Sequence, residues 1–180
     1  STFLTTADKL TTLTFNADGD DSSDITVTAS GAGAAAAALT SVTVTADNGA
    51  DVTVGAIDAE GASITTVSLT SSFTGSDITM SGLGLDGTNI TSIANITASA
   101  VAGATITISN IEATTVGQMT LSGAGTFTIN GSDMDITTLE MINAQSATGT
   151  TTIVMNSLGS ATIVNLGTGT NTYTASSFAD

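Results

Sequence analysis

The chain has 180 residues, with 16 acidic side chains against a single basic one, Lys9, for a net charge of −15. Without Lys and Arg no counterions are released from phosphates, so nucleic acid is excluded as a partner and anionic membrane surfaces are disfavoured; carboxylates lacking basic partners favour hard divalent cations instead. His, Cys, Pro and Trp are absent, which removes disulfides, zinc-type sites and the usual nucleophile–base pairs together.

Taken in chain order, the predicted elements are short strands. Apolar residues, mostly Ile, Val, Leu and Ala, make up 41% of the chain and aromatics 3%, so a core exists but is built from small aliphatic side chains. Thr26-Val27-Thr28, Thr43-Val44-Thr45, Thr105-Ile106-Thr107 and Thr126-Phe127-Thr128 alternate hydroxyl and apolar residues, giving each strand one dry face and one threonine face. The helix-compatible stretch from Gly33 to Leu39 is too short to stand alone and reads as a small-residue loop or a single turn. No apolar run reaches the ~18–20 residues of a membrane-spanning helix, so no transmembrane segment is expected. The start at Ser1 rather than Met points to processing or to excision from a longer chain.

Two motifs repeat. Apolar-Thr-Ser/Thr-apolar occurs at Leu10–Leu13, Leu39–Val42, Ile64–Val67, Ile90–Ile93 and Ile136–Leu139, at spacings of 29, 25, 26 and 46 residues. The last gap fits two shorter turns with an intermediate strand around Met119 to Leu121. The second motif reads Asp24-Ile25-Thr26-Val27, Asp51-Val52-Thr53-Val54 and Asp77-Ile78-Thr79-Met80. It degenerates to Thr105–Ile108, Thr126–Ile129 and Thr152–Met155, and its aspartates are 27 and 26 residues apart. A repeat of about 26 residues holding two or three short strands suits one coil of a parallel β-solenoid. The expected fold is therefore all-β, a single repetitive domain over residues 1–180 of roughly six coils. An antiparallel β-sandwich is the alternative: Asp47-Asn48-Gly49 and Ser122-Gly123-Ala124-Gly125 both read as hairpin turns.

Stacked coils would put Asp24, Asp51 and Asp77 in a column. Unit charges ~4.8 Å apart repel by about 3.5 kcal/mol at an effective dielectric of 20, and calcium between coils would reverse the sign; solvated turn aspartates are the plainer reading. Asn16, Asp18, Asp20, Ser22 and Asp24 place oxygen side chains at alternate positions as in a calcium loop, although Asp21 occupies the place of the turn glycine and Val27 that of the bidentate Glu. The candidate calcium ligands are Asn16, Asp18, Asp20, Asp21, Asp24, Asp51 and Asp77. Asp133 and Asp135 form a weaker pair, read as turn residues. No catalytic residue is expected. A carboxylate pair such as Asp20 and Asp21 suffices in principle for glycoside hydrolysis, but sugar platforms want aromatics, of which there are one Tyr and five Phe.

Leu166-Gly167-Thr168-Gly169-Thr170-Asn171-Thr172-Tyr173-Thr174 resembles one copy of the calcium-binding RTX nonapeptide G-G-x-G-x-D-x-U-x, with Leu166 in place of the first glycine and Asn171 in place of the aspartate. With the two repeats above, residues 10–175 are similar to the repetitive regions of RTX-type bacterial surface-layer proteins. That resemblance implies secretion to the cell surface, calcium-dependent folding and self-assembly into a lattice. The expected role is thus a non-enzymatic, extracellular scaffold whose partners are further copies of itself, with a cell-surface polysaccharide as a further candidate. The alternative is a binding module, either an adhesin stalk or a threonine-rich solenoid similar to ice-binding proteins. Against the ice reading, the T-x-T pairs do not keep one fixed register through all coils.

Overall fold

The computed structural model describes residues 9–19, 24–27, 36–84, 90–131, 135–155 and 162–175. Fourteen strands follow one another in pairs: β1 (Thr12–Asp18) and β2 (Ile25–Val27), β3 (Ser41–Asp47) and β4 (Val52–Ile57), β5 (Ser63–Ser71) and β6 (Ile78–Leu83), β7 (Ile90–Ala100) and β8 (Thr105–Ser109), β9 (Glu112–Gly123) and β10 (Thr126–Gly131), β11 (Asp135–Ala147) and β12 (Thr151–Met155), β13 (Ile163–Asn165) and β14 (Asn171–Ala175). Odd-numbered strands form one seven-stranded sheet and even-numbered strands a second, each in strict sequence order. Every pairing is parallel. The chain therefore winds as a parallel β-solenoid, each rung giving one strand to each sheet. Five of the seven rungs have two strands of five or more residues, and the first and last are shorter.

The sandwich alternative is resolved at the corners. Asn48 and Gly49 do take left-handed backbone, φ 56° and 89°, as an Asn-Gly hairpin would. The strands they join pair with different neighbours, β3 with β1 and β5, β4 with β2 and β6. The corner changes sheet instead of folding back. Ala124 and Gly125 do the same between β9 and β10. In the alanine run, Ala37 and Ala38 form a single turn closed by Leu39 N–H to the Ala36 carbonyl at 2.8 Å; Gly33 to Ala35 lie outside the described residues.

Inward residues stack into continuous apolar columns. Val54, Met80, Ile108, Ile129, Ile153 and Tyr173 are in register through the second sheet. Val42, Val67, Ile96, Met119 and Ile142 run through the first. Most of these side chains are fully buried. Like packs on like at one strand spacing, so every rung is buried by its neighbours and would be unstable alone.

The first sheet departs from simple alternation. In β7, β9 and β11 the buried residues run Ile90, Ile93, Ile96; Ala113, Val116, Met119; and Ile136, Leu139, Ile142, three apart, before returning to every second residue. Two consecutive residues then face outward, and the strand bends there. Two motif alignments differ from the sequence reading, one in each sheet. Ile93 stands opposite Ile64 rather than Val67, because apolar-x-x-apolar matches itself after a three-residue slip. Thr152 stands opposite Thr128 rather than Thr126, because Thr151, fully buried, takes the inward place held by Phe127 one rung earlier. A slip of two preserves alternation, so pattern alone cannot detect it. The intermediate strand expected around Met119 to Leu121 is β9.

Candidate functional site: an acidic corner and a threonine face

The corner between the two sheets carries the aspartate column. Asp24, Asp51 and Asp77 each stand immediately before a strand of the second sheet, and the register Ile25–Val52–Ile78 puts them one above another. Each carboxylate serves the next rung. Asp24 Oδ1 accepts the Asp51 N–H at 3.0 Å, Asp51 Oδ1 the Asp77 N–H at 2.8 Å, and Asp77 Oδ1 the Thr105 N–H at 2.7 Å. These amides sit where the chain rounds the corner and would otherwise lose their ladder acceptor. The column thus caps the sheet as an N-cap residue caps a helix. In the next rung the Thr126 N–H finds the Ala104 carbonyl at 2.9 Å, and no carboxylate is needed.

The corner at 48–51 is fully accounted for. Asn48 N–H donates to Asp47 Oδ1 at 2.9 Å, Gly49 N–H to Ser76 Oγ at 2.8 Å, and Ala50 N–H to the Asp47 carbonyl at 3.1 Å. Asn48 Nδ2 reaches back to Asp18 Oδ1 at 2.6 Å, tying the first rung to the second. Of the other predicted ligands, Asn16 and Asp18 are exposed outward residues of β1, and Asp24 is exposed immediately before β2. Asp20, Asp21 and Ser22 lie outside the described residues, as does Asp133. Among the described residues no three of His, Cys, Asp and Glu are grouped so as to hold a metal ion. Asp51 and Asp77 are partly buried, which gives their hydrogen bonds weight. Asp51→Ala is expected to cost about 1–2 kcal/mol by orphaning the Asp77 amide, and Asp51→Asn, which keeps an acceptor, less than half of that. Urea unfolding followed by circular dichroism measures both.

The segment Leu166 to Thr174 spans the corner before β14 and most of that strand, and Asn171 anchors the corner. Asn171 Nδ2 donates to the Gly167 carbonyl at 2.9 Å and to the Gly169 carbonyl at 2.8 Å. The amide is a donor where an aspartate would be an acceptor only, so this turn neutralises its own carbonyls. Asn171→Asp sets a carboxylate against those two oxygens. It is expected to destabilise the chain by about 2–3 kcal/mol in a chelator, with part of the loss restored by millimolar calcium. Thermal unfolding with EGTA and then with calcium checks this.

The second sheet presents a feature that a fixed repeat length conceals. Thr26, Thr53, Thr79, Thr107, Thr128, Thr152 and Thr172 occupy one register position through all seven rungs. One threonine per rung therefore holds register, but the T-x-T pairs do not keep one register through all rungs, as the sequence suggested: the place two residues before the column is Asp24, Asp51 and Asp77 in the first three rungs and threonine from Thr105 on. Rung length varies, being 27, 26 and 28 residues along the aspartate column and shorter beyond it. The variation falls in the corners and the first sheet, leaving the second sheet in phase.

At the bend of the first sheet, an open groove is lined by Ala94 and Gly117 with Asn95, Gln118, Glu140, Met141 and Ile163. A Cβ on Gly117 would lie 2.7 Å from the Ala94 carbonyl oxygen, so the strands close up there. The lining holds one carboxylate, Glu140. Glycoside hydrolysis by a carboxylate pair would need a second. The triplet spacing Ile90-Ile93-Ile96 was the sequence signal for this bend. Compared with known protein families, with curated proteins and with solved structures, the sequence finds no match in any of the three.

Proposed function

We propose that the chain is a non-enzymatic, self-assembling scaffold of the cell exterior, an S-layer or extracellular-filament subunit stabilised by calcium. The open stack carries this reading. Among the described residues, β1 and β2 pair only with β3 and β4, and β13 and β14 only with β11 and β12. Unpaired edges at opposite ends of one parallel stack run in the same direction and are templates for further strands. Head-to-tail contact of that kind does not close and builds filaments. The partner is a second copy of the chain, with a cell-surface polysaccharide as a candidate attachment.

Calcium dependence would arise at the acidic corner. Asp24, Asp51 and Asp77 carry charge on successive rungs, and each has one oxygen committed to a backbone amide. The second oxygen is the one a cation between rungs would take, with Asn16, Asp18, Asp20 and Asp21 nearby in the chain. Light scattering and thermal unfolding, with and without millimolar calcium, test the proposal. An ion that binds only the folded state raises its stability by mass action. Growing particles and a higher Tm with calcium are expected, and Asp51→Asn should blunt both. A higher Tm without growth would leave a monomeric stalk and overturn assembly. No response would remove the ion from the account.

A further inference from the structure

We infer that the outer face of the second sheet over its last four rungs binds ice. Two adjacent outward columns are threonine throughout. One holds Thr107, Thr128, Thr152 and Thr172. The other holds Thr105 and Thr126, opposite one another, followed by Thr150 and Thr170, whose carbonyls accept the Phe127 and Thr151 amides. The result is a lattice of hydroxyl and methyl groups repeating at ~4.8 Å across the strands and ~6.7 Å along them.

Three observations select a crystalline neutral partner. First, β8, β10, β12 and β14 contain no charged residue in a chain of net charge −15. The acids stand elsewhere, so this face neither attracts a cation nor repels an anion. Second, the hydroxyls are available. Thr40, Thr91, Thr148 and Thr162 donate to carbonyls of neighbouring rungs, and Thr97 on the first sheet donates to the Val67 carbonyl. Among the described residues, no hydroxyl of the array is held in this way. Third, threonine is stiff at χ1, and its backbone here is fixed by parallel pairing on both sides except at β14, so ordering the array costs little on binding.

A single hydroxyl–water contact gains almost nothing over bulk water. Net binding needs many such contacts in phase, and a two-dimensional lattice of water provides them where a flexible solute does not. A soluble sugar would instead want an aromatic platform, and among the described residues of these rungs none faces outward: Phe127 is buried and Tyr173 packs against the core. This surface is separate from the strand edges used in assembly, so the two proposals fail independently.

The test is thermal hysteresis and inhibition of ice recrystallisation by the full chain. Thr128→Tyr, in the middle of the array, is compared with Thr97→Tyr on the opposite sheet, and circular dichroism reports folding. The wild-type chain is expected to shape and arrest ice crystals, Thr97→Tyr to match it, and Thr128→Tyr to fall to the level of buffer. Should Thr128→Tyr misfold, Thr128→Ser removes only the methyl group and is expected to lose most of the activity. An inactive wild-type chain, equal activity in both tyrosine variants, equal loss in both, or retention on crystalline cellulose without any effect on ice would overturn the inference.

Discussion

Gly149→Ala is expected to be among the most damaging substitutions by a small side chain, unfolding the C-terminal rungs at a cost above about 4 kcal/mol. Gly149 lies at the tight corner between β11 and β12, and a Cβ there would overlap the carbonyl oxygens of Gly125 and Ala124 in the rung before. Those atoms are backbone on the shared corner, so no side chain can rotate away. Gly169 meets Gly149 in the same way, and moving one corner displaces the next. Gly61 is the control. Its φ is +75° but nothing lies within 4 Å of its would-be Cβ, so Gly61→Ala should cost only the left-handed backbone term, about 1 kcal/mol. Urea unfolding followed by circular dichroism separates the two. Equal, small losses would mean that the corners are not stacked as described.

Phe127→Ala is expected to cost about 3–5 kcal/mol. Phe127 is fully buried and heads the largest such side chains. Its neighbours in the column are Ile106 on one side and the smaller Thr151 on the other. The ring is buried in a column between these two, and parallel strands one spacing apart on both sides hinder collapse into the cavity. Phe127→Leu, which keeps most of the volume, should recover more than half of the loss. If alanine cost no more than a surface change, Phe127 would not be a core residue and the register of β10 would be wrong.

Much of this architecture was legible because inward and outward residues alternate with period two wherever a strand is straight. The aspartate column was readable for a stronger reason. Its 27- and 26-residue spacings are themselves the rung lengths, and the same residues that set the spacing cap the corner. Legibility failed where a local pattern serves two structures. Asn48-Gly49 provides the same left-handed pair to a hairpin and to a corner between sheets. Ile90-x-x-Ile93-x-x-Ile96 matches its neighbours at two registers, and only pairing across the whole strand decides between them. The threonine column escaped detection because it is constant in register but not in sequence interval. Thr151, a polar residue in an inward place, broke the alternation where that interval changed. What Asn171 does was also hidden, since its letter reads as a weakened aspartate while its amide acts as a donor.

All of these readings rest on the in-register parallel stack, and a pair of spin labels at Thr53→Cys and Thr172→Cys measures it directly. The two positions share one column and are five strand spacings apart, so double electron–electron resonance should give a single narrow distance near ~24 Å between the backbone sites, shortening by one strand spacing when Thr79→Cys replaces Thr53→Cys. A broad distribution, or a distance that fails to shorten with that move, would contradict the solenoid and with it the threonine face and the acidic corner.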